Sequence, residues 1–242
     1  MNSIMNKRHF LLAALLVALG AQANPEPVGK TYTPGPFDSL SFGGSAIVQF
    51  QQGDRDELFI EGDESVQKSV TVELRGTELV MRSEGNWKFW TNKQRIKMRI
   101  VMRDLKELRV SGVADFIANE PVSAKSLRVS ISGAGVARFE RLKAEELRFS
   151  VSGSGDGYFT GSVDELGISI SGRGDFYGEH FAARNAKVSI SGLGKARVWA
   201  TGELNAGVSG IGTVDYWGAP NLQKRSSGIG KFNDKGAKAV SH

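Results

Sequence analysis

Near-copies of one nine-residue segment constrain the fold of this chain more than any other feature. They read LRVSISGAG at 127–135, LRFSVSGSG at 147–155, LGISISGRG at 166–174 and AKVSISGLG at 186–194. Aligned on the Ser-Gly pair, the copies recur at spacings of 18 to 21 residues and start that pair at Ser111, Ser132, Ser152, Ser171, Ser191, Ser209 and Ser227. Internal periodicity of this length indicates a solenoid.

Each copy alternates apolar and polar residues with period 2, which is typical of a strand with one buried face. The position before the Ser-Gly pair is occupied by Val110, Ile131, Val151, Ile170, Ile190, Val208 and Ser226. The preceding position is polar or glycine in every copy, with serine at 130, 150, 169 and 189. The sequence therefore predicts an all-β, right-handed, single-stranded parallel β-helix, in which coils of 18–21 residues stack about 4.8 Å apart.

The glycines of the SGxG segments predict a corner in each coil, and we expect them to be needed for positive φ there. The last copy, LQKRSSGIGKF, places Lys224 and Ser226 in apolar columns. Polar residues at these positions suit a terminal coil that closes the end of the solenoid.

Residues 53–107 keep strand-like patterns but lose the twenty-residue spacing. They predict wider, irregular β coils or hairpins at the N-terminal end, continuous with the helix; a separate small β-domain is the alternative.

The N-terminus predicts a secretory signal peptide at 1–23, cleaved before Asn24. A basic segment with Lys7 and Arg8 precedes an apolar run of eleven residues, and small residues at Ala21 and Ala23 follow. The run is too short to span a bilayer. We expect a linker at 24–36, the β-helix at 37–232 and a disordered tail at 233–242, with no transmembrane segment after cleavage.

Composition limits the function classes. The chain has no cysteine, so no disulfide stabilises the exported protein, and its stability must come from burial and backbone hydrogen bonds. Loss of Lys7 and Arg8 lowers the formal charge from +5 to +3, a small excess that does not indicate nucleic-acid binding.

The ordered segments FGGSA, QGD, EGDES and LKELRVSG, followed by the SGxG copies, resemble the putative auto-transporter adhesin head GIN domain family. The resemblance covers roughly residues 35–220. It implies an exported bacterial β-helix domain and supplies no catalytic or metal-ligating residues. No membrane-barrel segment follows the coils, so the resemblance does not imply autotransport.

The sequence offers no catalytic histidine arrangement and no cofactor motif. Its three histidines are His9, His180 and His242, which form no ligand pair and no triad. Asp156 and Asp175 occupy the same position of adjacent copies, so we expect their carboxylates to stack. Three interpretations remain open for this pair: a solvated face, a cation site, or the stacked carboxylates of a polysaccharide-active β-helix enzyme.

Aromatic residues follow the corners, and Tyr158, Tyr177 and Trp217 either pack at the corner or form an exposed strip that stacks on sugars. The densest aromatic and basic cluster lies in NWKFWTNKQRIK, where we name Trp87, Phe89, Trp90, Lys93 and Arg95 as candidate binding residues. They form either a binding tip or a cap over the end of the core. The sequence thus predicts an exported, non-enzymatic, adhesin-like module of the periplasm or cell surface that binds an anionic glycan or an envelope protein. The alternatives are the polysaccharide-active enzyme and a structural scaffold of the envelope.

Overall fold

The computed structural model describes residues 27–83 and 95–238, which are nearly all β-structure. The N-terminal elements are β1 Gly29–Tyr32, β2 Ser39–Gly43, β3 Ser45–Gln52, β4 Glu57–Glu61, α1 Glu64–Lys68, β5 Val70–Arg75, β6 Glu78–Ser83, β7 Ile96–Met102, β8 Glu107–Val110 and β9 Val113–Ala118. The repeats form β10 Val122–Ile131, β11 Ala134–Val151, β12 Ser154–Ile170, β13 Arg173–Ile190, β14 Leu193–Val208, β15 Ile211–Trp217, β16 Asn221–Ser226 and β17 Ile229–Asp234.

The repeats stack as parallel coils. Ile131 pairs with Val151, Val151 with Ile170, and Ile170 with Ile190, so the same position of each copy lies on the same column. The predicted all-β parallel β-helix is confirmed, whereas its right-handed winding stays a prediction.

The interior columns contain the predicted aliphatic residues and a row of phenylalanines. Ile170 is fully buried, while the preceding Ser169 is exposed, as the period-2 pattern requires. Phe139 stacks on Phe159 with ring centroids 5.3 Å apart, and Phe159 lies 5.2 Å from Phe176. Large and small side chains alternate along a column, since Gly157 pairs with Phe176 and leaves room for the neighbouring rings.

The corners need glycine for a reason other than the expected one. Of the SGxG glycines, all of which the structure describes, only Gly135 has φ in the left-handed range, at 156°. Instead, a Cβ on Gly172 would lie 2.1 Å from the carbonyl oxygen of Gly153 on the preceding coil. The prediction of positive φ at these corners was therefore wrong, because the constraint is the close approach of two stacked backbones.

The N-terminal elements are continuous with the helix, but their order in space differs from their order in sequence. The strand pair β2–β3 lies between β6–β7 and β8–β9, with all of these pairings parallel. Strands β4 and β5 add to this end in antiparallel fashion, on β7 and β6 respectively. The described strands within 53–107 therefore belong to the same sheet as the repeats, while the division of the chain into domains stays a prediction.

Strand pairing also extends beyond both expected edges of the domain. Within the expected linker, β1 pairs with β4. At the other end, β17 runs to Asp234, the Lys235 N–H donates to the Tyr216 carbonyl at 2.8 Å, and Lys238 Nζ donates to the Glu179 carbonyl. The expected signal peptide and the last four residues lie outside the described residues.

The corner constraint predicts opposite effects for two nearby glycines. Gly172→Ala should lower the free energy of unfolding by about 1–3 kcal/mol or more, because its methyl group would overlap backbone that cannot move aside. The control is Gly167→Ala, whose Cβ would have no neighbour closer than 3.7 Å and whose φ is not left-handed. It should be neutral or stabilising by about 0.4–1 kcal/mol. Urea denaturation measures both, and equal losses would contradict the close-approach explanation.

The column assignment predicts a second contrast on adjacent residues. Ile170→Ala removes a fully buried side chain and should cost about 2–5 kcal/mol. Ser169→Ala, on the exposed face of the same strand, should cost well under about 1 kcal/mol. Thermal unfolding followed by circular dichroism tests both, and similar melting temperatures for the two variants would reject the register.

Candidate functional site

One row of side chains runs along the outer surface of the strands that follow the Ser-Gly corners and of the N-terminal strands paired with them. From the N-terminal end it consists of Thr31, Phe59, Arg99, Gln49, Ile117, Arg138, Tyr158, Tyr177, Arg197, Asp215 and Asn233, each paired in register with the next. We call it the outer row. Most of its residues alternate along their strands with buried ones, so it is the outward face of this side of the helix, and Asp215, itself buried, is an exception.

A groove of about 610 Å³ opens at the N-terminal end of the outer row. The added strands β1 and β4 form one wall, and β3, β7 and β9 form the floor. This volume falls within the range of about 300–1,000 Å³ of small-ligand sites. The sequence does not reveal this groove, because the groove depends on the pairing of β4 with β7.

The groove combines amides, one free cation and apolar surface. Gln49 and Gln51 are exposed, and their side chains make no hydrogen bond to any other described residue. The guanidinium of Arg99 lies 4.5 Å from the centroid of the Phe59 ring and has no ion pair within the described ranges. The carboxylate of Glu57, by contrast, is 3.2 Å from Arg55. Among its described lining residues, the groove therefore offers hydrogen-bonding amides and a single unneutralised positive charge.

Two stacked tyrosines occupy the middle of the outer row. The rings of Tyr158 and Tyr177 are parallel, with centroids 4.3 Å apart. Arg138 covers the other face of Tyr158 at 4.1 Å, and Arg197 covers the other face of Tyr177 at 4.5 Å. Burial, assisted by the charge of Asp175, raises the pKa of Tyr177 to about 12.

This arrangement leaves no ring face of either tyrosine open for a sugar. Only ring edges and hydroxyl groups point outward. The stack of two tyrosines and two arginines therefore holds adjacent coils together and presents polar groups to solvent. Trp217 does not join these tyrosines, since it pairs with Trp199 two positions further along the strand. The expected strip of Tyr158, Tyr177 and Trp217 is thus two separate features.

Asp156 and Asp175 are stacked as the sequence indicates, and each is bonded to the next coil. Asp156 Oδ1 accepts a hydrogen bond from the Asp175 backbone N–H at 2.8 Å. Asp175 Oδ1 accepts one from the Lys195 backbone N–H, also at 2.8 Å. No group of three acidic or histidine side chains within 27–83 and 95–238 is placed to hold a metal ion. The geometry favours a structural role for the pair; catalysis or cation binding by it stays a hypothesis.

Most of the predicted aromatic tip falls outside the described residues, namely Trp87, Phe89, Trp90 and Lys93. Arg95 is described and has partners within the protein. Its Nη1 pairs with the carboxylate of Asp115, and its Nη2 donates to the Ala46 carbonyl at 2.6 Å. It thereby joins the start of β7 to β3 and β9. Binding by these five residues stays a prediction, and Arg95 would have to exchange its partners to take part.

A buried carboxylate stabilises the C-terminal end of the outer row. Asp215 is 3% exposed; Lys195 Nζ lies 2.8 Å from its Oδ2, and Asn233 Nδ2 donates to its Oδ1 at 2.7 Å. Burial by itself raises the pKa of Asp215, but the bonds from Lys195 and Asn233 and the charge of Lys235 outweigh it, so the pKa is below its usual value. Asp215 therefore links the last three coils as an anion.

The lowered pKa of Asp215 predicts a pH dependence of stability. A group with a depressed pKa in the folded state stabilises the protein above its unfolded pKa and loses that contribution as pH falls through the folded pKa. Asp215→Asn should therefore be less stable than the native chain at pH 7. The gap should narrow as the pH drops below about 4, where the unfolded carboxyl also binds its proton. Urea denaturation across this range measures it, and a gap independent of pH would contradict the ion-pair account.

Comparison with known proteins assigns the chain to a family. No curated protein matches the chain. A crystal structure of a putative adhesin from Bacteroides fragilis is 19% identical, covers 89% of this chain and 98% of its own, and has a TM-score of 0.79. A putative adhesin from Parabacteroides distasonis is 20% identical, covers 87% of this chain and 96% of its own, and has a TM-score of 0.66. At these identities the likeness shows a common fold.

The described residues contain no helix long and apolar enough to cross a membrane. The model of the family described as "putative auto-transporter adhesin, head GIN domain" matches residues 36–220, which is most of the chain. With the β-helix established by strand register and the same family indicated by the ordered segments of the sequence, the match decides the assignment. The chain belongs to the auto-transporter adhesin head GIN domain family.

Proposed function

We propose that this protein is an exported, non-enzymatic, adhesin-like module that binds a glycan in the groove at the N-terminal end of the outer row. Membership of an adhesin head family supports a binding role in general. The observation that carries the finer proposal is the groove itself, because it brings free amides, a free guanidinium and apolar surface together in one concave site.

The chemistry of the groove fits a sugar with an acidic group. The amides of Gln49 and Gln51 can each donate and accept hydrogen bonds, as the hydroxyl groups of a sugar require. The guanidinium of Arg99 can bind a carboxylate or sulfate through two parallel hydrogen bonds, and its position over Phe59 fixes the plane in which it does so. The half-buried side chains of Val101 and Ile117 supply apolar floor for the C–H face of a ring.

We propose a non-enzymatic function because the described residues of the groove provide no pair of free carboxylates. Glu57 is paired with Arg55, and Glu120 lies 2.9 Å from Arg141. Glycoside hydrolysis needs one carboxyl group as acid and a second as base or nucleophile on either side of the scissile bond. The other acidic candidates, Asp156 and Asp175, accept backbone hydrogen bonds several coils away.

The proposal predicts which side chains matter for binding. On a glycan array, the chain from Asn24 onward should bind glycans that carry a uronic, sialic or sulfated residue. Arg99→Ala should weaken that binding about tenfold or more, since a hydrogen bond to a charged group is lost, and Gln49→Ala should weaken it about three- to tenfold. Both residues are on the surface, so the melting temperature should stay nearly unchanged.

Arg128→Ala is the matched control, because Arg128 is an exposed arginine on a different face of the helix. It should bind as the native chain does. Unchanged binding by Arg99→Ala, or an equal loss in Arg128→Ala, would reject the groove as the site. Binding that survives both groove changes but disappears in a Trp87→Ala/Trp90→Ala variant would move the site to the aromatic segment.

A further inference from the structure

The corner of the last three coils carries a straight line of exposed aliphatic side chains. Leu193 is 41% exposed, Ile211 53% and Ile229 66%. Leu193 pairs in register with Ile211, and Ile211 with Ile229. We call these three residues the aliphatic stripe. Each directly follows a Ser-Gly corner, so the stripe lies along an outer edge of the helix, where two faces meet.

The fold does not require aliphatic residues at this position. The equivalent residues in the preceding coils are Ser154 and Arg173, both exposed, and Ala134 and Val113, both half-buried. A corner that accepts serine and arginine in the middle of the helix has no packing reason for leucine and two isoleucines at its end. Contiguous exposed apolar residues on a soluble surface usually mark a contact with another phase or molecule.

Unpaired cations surround the aliphatic stripe. Arg173 precedes Leu193 in the same column, and Lys231 follows Ile229 by two residues. Lys187 and Arg225 lie on the adjoining outer face of the same coils, Lys224 lies at the end of an inward column in the last coil, and all three are exposed. None of these five has an ion pair within the described part of the chain.

The acidic groups near the stripe are already neutralised or bonded. Asp215 is buried against Lys195, and Asp175 accepts the backbone N–H of Lys195. Glu203 is exposed, but it is in register with Asn221 at the far end of its strand. The stripe and its surroundings therefore form an apolar ridge within a positive field.

We infer that the aliphatic stripe docks on an anionic lipid surface. A convex ridge three residues long buries too little area for a stable protein interface, which needs about 1,200 Å² or more in total. A bilayer imposes no such requirement, because lipids rearrange around a small apolar ridge. Its phosphate groups supply the negatively charged partners that Arg173, Arg225 and Lys231 lack within the described protein. This inference concerns the opposite end of the helix from the groove and does not depend on glycan binding.

Vesicle sedimentation tests the inference. At low ionic strength the protein should sediment with vesicles of phosphatidylcholine and phosphatidylglycerol, and should remain in solution with vesicles of phosphatidylcholine alone. Added salt should weaken the association. Ile211→Ser/Ile229→Ser should lower the partition coefficient about tenfold or more by removing the inserted methyl groups. Arg225→Gln/Lys231→Gln should lower it about fivefold for each cation.

Two controls match these changes. Val28→Ser replaces an aliphatic residue at the other end of the protein that is more exposed than any residue of the stripe, at 74%. Lys125→Gln/Arg128→Gln removes two exposed cations far from the stripe. Both should sediment as the native chain does, and so should Arg99→Ala, which separates this inference from the fate of the groove. If the double serine variant unfolds, the single change Leu193→Ser replaces it, with circular dichroism as the check.

Several outcomes would overturn the inference. They are absence of binding to phosphatidylglycerol vesicles, equal binding to phosphatidylcholine alone, and native binding by the stripe variant. Release of the protein from vesicles by inorganic phosphate at matched ionic strength would also overturn it, because it would indicate a simple anion site. A dimer in sedimentation velocity that is lost in the stripe variant, without vesicle binding, would assign the stripe to a second copy of the chain.

Discussion

The close approach of stacked backbones at the Ser-Gly corners is the constraint on which this structure depends. At one corner the N–H groups of Ser171 and Gly172 both point at the carbonyl oxygen of Val151, at 2.9 and 3.2 Å, and the next N–H donates to Gly153. The same pattern recurs from coil to coil. Because a Cβ on the corner glycine would overlap the coil before it, each glycine fixes where its coil sits on the last. Register is thereby set at every turn, and a slip of one residue would turn the buried columns outward.

Fixed register converts the sequence of each coil into rows along the molecule. Inside, it aligns the phenylalanines and the small residues that leave them room, as with Gly157 and Phe176. Outside, it stacks Arg138, Tyr158, Tyr177 and Arg197 so closely that each tyrosine is covered on both faces. Stacking therefore stabilises the helix where like or complementary side chains follow each other. It leaves free groups for binding only where the row is interrupted or where an added strand makes the surface concave.

The sequence predicts those parts of the structure that depend on neighbours in the repeat. Ile170 and Ser169 occupy opposite faces as their alternation indicates, and Asp156 stacks on Asp175 because their copies are adjacent. The groove could not be predicted in this way. Gln49 on β3 lies between Arg99 on β7 and Ile117 on β9, residues about 50 and 68 positions away in sequence. The chain forms the coil of β3 first, then the coil of β7 on one side of it, and only then the coil of β9 on the other side. The reason for the corner glycines could not be predicted either. The clash that excludes a side chain is with the preceding coil, and it does not require an unusual φ at the glycine itself.

The positions of the two proposed surfaces follow from the same stacking. The groove lies on the coils of β7, β3 and β9, and the aliphatic stripe lies on those of β14, β15 and β17. Six strand spacings separate β3 from β15 along the sheet, which at about 4.8 Å each gives roughly 30 Å. Because the stripe runs along the stacking direction, a rod that rests on anionic lipid by this edge keeps its axis close to the membrane plane, with the groove about 30 Å further along it. Lengthening such a rod needs only further copies of one repeat, because each coil contacts just its two neighbours. The number of repeats thus sets the distance between the two surfaces. The irregular N-terminal strands form the groove at one end, and the last three corners form the aliphatic stripe at the other.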